Sequence, residues 1–187
     1  MAQPTARDVR LLDAIEALTA EPFDGTIWRV VRQGRDPLQC SSVGGRWDDR
    51  TFDVLYTSTS ARGSIAEMYF HLSRGQPLVP SLVQYELFEL RVSIRECIHF
   101  RTLKDLESVG LQTSTFGQLS YSERVQEYPR TQEIGEAAYF LGHHGLVVPS
   151  ARSESPNVII FCDRIEPGTI SVAKNHGAVD WNVLKQR

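Results

Sequence analysis

Leu11, Leu12, Ile15 and Leu18 recur at helical spacing near the start of the chain and predict an amphipathic helix over about 6–19. Thr5, with Asp8 three positions on, reads as its capping signal. The period then changes. Residues 26–31 are β-branched and aromatic and predict a strand. Residues 33–45 hold Gly34, Pro37, Gly44 and Gly45 and predict a loop. A second strand follows at 52–58. Ser60 can cap a helix running to about Ser73, with Gly75 as its stop signal. A long strand is expected at 82–92 and a short helix at 102–108, ending near Gly110. Residues 122–128 fit neither period. A helix at 131–141 is stopped by Gly142 and Gly145, and strands follow at 145–149, 157–162 and 169–173. Helices and strands mix without regular βαβ alternation, which predicts an α+β fold.

Composition narrows the class. A length of 187 residues suits a single domain over 1–187, built on one core. An apolar fraction of 41% exceeds what a disordered chain carries. The formal net charge of -3 argues against direct nucleic-acid binding. The longest apolar runs, such as 158–162, are too short to cross a bilayer, and the first ten residues hold no signal-peptide apolar region. A cytoplasmic protein with no membrane association is therefore expected. Cys40, Cys97 and Cys162 are scattered and odd in number, so buried free thiols in a reducing cytosol are expected. Lys104, Lys174 and Lys185 are the only lysines, so nearly every basic residue is Arg, the better fork for phosphate.

Several chemistries find no support. There is no phosphate-binding Walker loop, Gly44-Gly45 is not a dinucleotide fingerprint, and Ser150 and Ser153 lack the glycines of a hydrolase elbow. His143-His144 has no further ligands at metal spacing, so no metal is expected. What remains is a set of polar residues at strand ends. Arg29 lies inside the apolar strand Ile27-Trp28-Arg29-Val30-Val31 and must meet either a carboxylate or a ligand. Arg46 follows Gly44-Gly45, an ordinary turn or a backbone opened for a ligand. Tyr56 reads as a core aromatic or a ring face for substrate. Glu67 reads as a solvated helix residue, yet Ile65, Ala66 and Met68 beside it favour partial burial. Ser150 and Arg152 close the buried run that begins Val147-Val148-Pro149, where a capped strand end would look the same.

Together these pieces resemble the RES domain, named for its Arg, Glu and Ser. The resemblance covers about 26–163 and rests on Ile27-Trp28-Arg29, Gly45-Arg46-Trp47, Leu55-Tyr56-Thr57-Ser58, Ile65-Ala66-Glu67 and Gly145-Leu146-Val147-Val148-Pro149-Ser150-Ala151-Arg152. Asn157, before a strand reaching Phe161 and Asp163, also fits. The resemblance implies an ADP-ribosyltransferase-like domain, a central β-sheet or sandwich flanked by helices. It implies a toxin held silent by an Xre-like antitoxin that occludes its site. It implies an enzyme that hydrolyses or phosphorolyses NAD⁺ and so arrests growth, with NAD⁺ as a consumed substrate and no recycled cofactor. Against the diphtheria-type His-Tyr-Glu pattern the chain offers Arg29, Tyr56 and Glu67.

The chemistry of NAD⁺ suits that assignment. Its diphosphate calls for guanidinium forks, from Arg29 and Arg46, with Ser150, Arg152 and Asn157 as further contacts. Its cationic nicotinamide calls for an aromatic face, from Tyr56. Cleaving the nicotinamide–ribose bond builds oxocarbenium charge that a carboxylate stabilises, and Glu67 is the candidate, with Glu154 next in line. The sequence leaves the acceptor open between water, phosphate and a host protein side chain. A protein acceptor would make the chain a mono-ADP-ribosyltransferase, with 112–130 as a recognition loop. An RNA-cleaving toxin and a non-catalytic interaction domain are the remaining alternatives. Charge opposes the first, and the presence of both Arg29 and Glu67 opposes the second.

Overall fold

The computed structural model describes residues 6–74 and 83–185. Helix α1 (Val9–Glu16) buries Leu11 and Ile15 on one face. Its N-cap is Asp8, whose carboxylate accepts from the Arg10 and Leu11 amides; the expected cap at Thr5 lies outside the described residues. Strand β1 (Glu21–Arg32) starts well before the β-branched run because it pairs with β3 (Tyr85–His99) along its whole length. β2 (Val54–Ser58) leads through the Ser60 cap into α2 (Ala61–Ser73), as the sequence suggested, while Gly75 falls outside the described residues. α3 (Leu103–Ser108) carries a capping box between Thr102 and Asp105. α4 (Tyr128–Phe140) starts three residues earlier than its apolar period, with Pro129 in its first turn. β4 (Gly145–Val148), β5 (Asn157–Phe161) and β6 (Ile170–Ala178) complete the sheet.

Two ladders make that sheet, β1–β3–β6 and β2–β5–β4. They join where Trp28 of β1 faces Ser58 of β2, and where residues 97–99 of β3 run parallel to β4. This second junction explains why β3 outruns its expected end at 92: its far end changes partner from β6 to β4. β5 is buried on both faces. Ile159 and Phe161 pack beneath α1, α3 and α4 with Ile15, Leu106 and Ile134, while Val158 and Ile160 pack against Ile27 and Leu90 on the other side. A doubly buried strand has no polar side to show, hence its unbroken apolar run. The arrangement is a mixed α+β domain around a central sheet.

The cysteines correct the expectation of free thiols. Cys40 and Cys162 form a disulfide across 122 positions. Ser41 bridges to Val54 through paired backbone hydrogen bonds, and the Cys162 amide donates to Asp53 at 2.9 Å, so both cysteines meet beside the start of β2. Nothing local in the sequence reports that meeting. Cys97 is free and buried, and burial pushes its thiol up to about 12, so it stays a neutral packing group. Among the described residues no helix is long and apolar enough to cross a membrane.

Candidate functional site

A cleft of about 670 Å³ opens between β1, β2 and α2 and is lined by Arg29, Arg46, Tyr56, Glu67, Arg152 and Asn157. That volume lies within the usual range for small-molecule sites. Ser150 stands directly behind this wall, bonded to Glu67. The seven residues named from the sequence therefore meet in one place. His143 and His144 are not among the lining residues. Among the described residues no group of three or more His, Cys, Asp or Glu side chains is placed to hold a metal ion.

Glu67 owes its place to the start of α2. Ser60 Oγ accepts from the Gly63 amide at 2.9 Å, and a Cβ at Gly63 would collide with Ser58 Oγ. The helix thus begins hard against the end of β2, and Glu67 follows one turn later. Its Oε1 accepts two hydrogen bonds, from Ser150 Oγ at 2.6 Å and Asn157 Nδ2 at 2.8 Å. Ser150 Oγ in turn accepts from the Arg152 and Ser153 amides at 3.0 and 3.1 Å. With its proton given to Glu67 and both lone pairs engaged, Ser150 holds the carboxylate instead of offering itself to a ligand. A carboxylate fixed on one oxygen keeps the other in a set direction at the cleft.

Tyr56 sits at the border of core and cleft. Its ring lines the cleft, and its hydroxyl donates to Asp48 at 2.7 Å and accepts from the Trp47 amide at 2.9 Å. Burial, reinforced by the Asp48 charge, raises its pKa well above the ordinary phenol value, so it stays protonated. The sequence reading missed Asp48. This fully buried carboxylate also accepts from the Gly44 and Gly45 amides at 2.8 and 2.6 Å. A Cβ at Gly45 would strike the Tyr56 hydroxyl, so only glycine lets the turn close on it. Gln132 Nε2 holds the Gly45 carbonyl at 2.7 Å from α4.

The arginines are anchored differently. Arg46, next in that turn, is ion-paired with Glu127, and its guanidinium lies over the Phe116 and Tyr128 rings at 4.8 and 5.5 Å. Arg29 meets no carboxylate at ion-pair distance among the described residues; its Nη1 donates to the Pro37 and Gln39 carbonyls at 2.6 and 2.9 Å. Burial lowers its pKa to about 10, so it remains a cation at neutral pH. Its Nε and Nη2 make no hydrogen bond among the described residues, so one edge of the guanidinium fork keeps free donors. Arg152 Nη1 donates to the Gly117 carbonyl at 2.7 Å, with the guanidinium 3.3 Å above the Phe70 ring. Glu127 and Arg124 also escaped the sequence reading, because residues 122–128 show no period: a short 3₁₀ turn at Arg124–Gln126 leads directly into α4 at Tyr128.

Known proteins share this architecture. Two proteins named NAD(+) phosphorylase MbcT, from Mycobacterium bovis and Mycobacterium tuberculosis, are each 24% identical to this chain over 176 residues, 91% of either sequence. The crystal structure of the M. tuberculosis MbcT–MbcA toxin–antitoxin complex superimposes with a TM-score of 0.79 at 21% identity, covering 96% of this chain and 97% of that one, which establishes a common fold. The family model of the RES domain matches residues 26–182. The chain belongs to the RES domain family.

Proposed function

We propose that this chain is a toxin that consumes NAD⁺ by breaking its nicotinamide–ribose bond, with phosphate as the acceptor. One observation carries the reading: the Glu67 carboxylate, held on one oxygen by Ser150 and Asn157, faces a cleft lined by arginines. The names of the relatives, an NAD⁺ phosphorylase and a toxin–antitoxin complex, support the same substrate and setting.

In this reading the free edge of Arg29, with Arg46, holds the diphosphate, and the Tyr56 ring carries the nicotinamide. As the C–N bond breaks, its electron pair passes to the pyridinium nitrogen and neutral nicotinamide leaves. Positive charge grows on the ribose carbon, and Glu67 stabilises it while orienting the ribose hydroxyls. Ser150 and Asn157 already hold the carboxylate in place, so little reorganises during reaction. NAD⁺ is spent and no cofactor is recycled. The protein works in the cytoplasm, where an Xre-like antitoxin silences it by setting carboxylates against the cleft arginines.

Expression without the antitoxin tests this. Growth should stop and cellular NAD⁺ should fall together. Arrest with NAD⁺ unchanged would shift the reading to ADP-ribosylation of a host protein, and normal growth at good soluble expression would count against a toxin.

A further inference from the structure

The cleft holds more fixed positive charge than one dinucleotide diphosphate requires, and it is sorted into two groups. One lies on β1 and the loop after it, where Arg29, Arg32 and Arg35 line the wall. The other lies beyond Glu67. Phe70 and His71 of α2 and Tyr121 of the loop between α3 and α4 form an aromatic platform, with the Phe70 and Tyr121 ring centroids 5.7 Å apart and His71 6.4 Å from Tyr121. Arg152 sits 3.3 Å above Phe70, and Arg124 sits 3.4 Å above Tyr121. Each is tied by one nitrogen to a backbone carbonyl, Arg152 to Gly117 and Arg124 to Tyr121. Neither meets a carboxylate at ion-pair distance among the described residues, and Arg124 Nε is buried with no partner there. Glu127, the other carboxylate at this end, is already committed to Arg46.

We infer that Arg124 and Arg152, stacked on Tyr121 and Phe70 with the His71 ring beside both, form a subsite for the acceptor phosphate, separate from the site of the dinucleotide diphosphate to which the sequence reading assigns Arg152. The inference rests on the function proposed above and deepens it. Two guanidiniums on neighbouring rings present donors to one tetrahedral anion. Glu67 and His71 lie four positions apart on α2, one turn along the same face, so an anion held beside His71 is next to the carboxylate at the reacting carbon. Desolvation at the cleft wall, opposed by Glu67 and reinforced by Arg124, Arg152 and Arg46, keeps the His71 pKa below its ordinary value.

An oxygen of hydrogen phosphate bonds to the ribose carbon as the C–N bond breaks, and nicotinamide takes the bonding pair. The products are ADP-ribose-1″-phosphate, which keeps the phosphate's own proton, and neutral nicotinamide. No oxidant or further reactant enters. The subsite also gives a use to part of the 112–130 segment, since that stretch carries both Tyr121 and Arg124.

Steady-state kinetics of Arg124→Gln and Arg152→Gln, with NAD⁺ and inorganic phosphate varied independently, test the assignment. The expected result is a rise of about 10- to 100-fold in KM for phosphate with KM for NAD⁺ within about threefold, and a product mixture shifted toward ADP-ribose. Calorimetric titration of inorganic phosphate into the protein without NAD⁺ gives a second readout, with binding weakened to the same degree. If KM for NAD⁺ rises and that for phosphate does not, the cluster holds the dinucleotide and the inference is overturned. Unchanged constants in both variants overturn it too. Wild-type protein that spends NAD⁺ at a rate independent of phosphate also overturns the subsite while leaving NAD⁺ consumption standing, whereas no NAD⁺ consumption removes the underlying function itself.

Discussion

Ser150 Oγ donates its proton to Glu67 Oε1 at 2.6 Å, joining residues 83 positions apart in the chain. The serine is fixed from behind by the Arg152 and Ser153 amides, so the carboxylate is aimed by backbone as well as by side chain. Glu67→Gln should lower kcat for NAD⁺ by about 10²–10³ with little change in KM, as removal of a transition-state stabiliser does. Ser150→Ala should act through Glu67 and cost less, about tenfold in kcat. Steady-state assays on both variants, with circular dichroism to confirm folding, check this. Near-wild-type kcat in Glu67→Gln would show that another carboxylate serves, with Glu154 the next to examine.

Arg46 is structural as well as cleft-lining. Its side chain is 12% exposed and that of Glu127 6%, so Arg46→Ala strands a buried carboxylate. The variant should lose about 3–5 kcal/mol of stability and also bind NAD⁺ less well. Adding Glu127→Gln should recover part of the stability and none of the NAD⁺ affinity. Urea melts and NAD⁺ titrations of the single and double variants separate the two effects. A double variant no more stable than Arg46→Ala would contradict the pairing.

Mild acid should destabilise the fold through its histidines. Partial desolvation lowers the pKa of His71, His99 and His143 below the ordinary 6.5. Between those lowered values and 6.5 the unfolded chain binds more protons than the folded one, so stability rises with pH through that window and falls as pH drops below about 6.5. Asp8, Glu21, Asp105 and Glu123 are also held below their ordinary values by hydrogen bonds, and they add a further loss at lower pH. The urea midpoint should be lower at pH 5.5 than at pH 7.5. An equal or higher midpoint at pH 5.5 would contradict the lowered pKa of these histidines.

Much of this was legible in the sequence where the signal was local. Ser60 before α2, the β-branched run in β1 and the apolar run of β5 each report their own element. The cleft residues were legible through resemblance, since Arg29, Tyr56 and Glu67 alone fit plain structural roles equally well. What stayed hidden was non-local. Asp48 sits beside Gly44-Gly45-Arg46-Trp47 in sequence, yet its use depends on Tyr56 arriving from β2. The Cys40–Cys162 disulfide and the Arg46–Glu127 pair join segments 122 and 81 positions apart. No periodicity encodes such meetings; only the packing of the two ladders and α4 brings them about.

The most direct measurement incubates the purified protein with NAD⁺, with and without inorganic phosphate, and follows nicotinamide release while the second product is weighed by mass spectrometry. The account predicts phosphate-dependent release of nicotinamide with ADP-ribose-1″-phosphate as the matching product, and loss of both in Glu67→Gln. Intact NAD⁺ after prolonged incubation of folded protein, in the presence of phosphate, would contradict it.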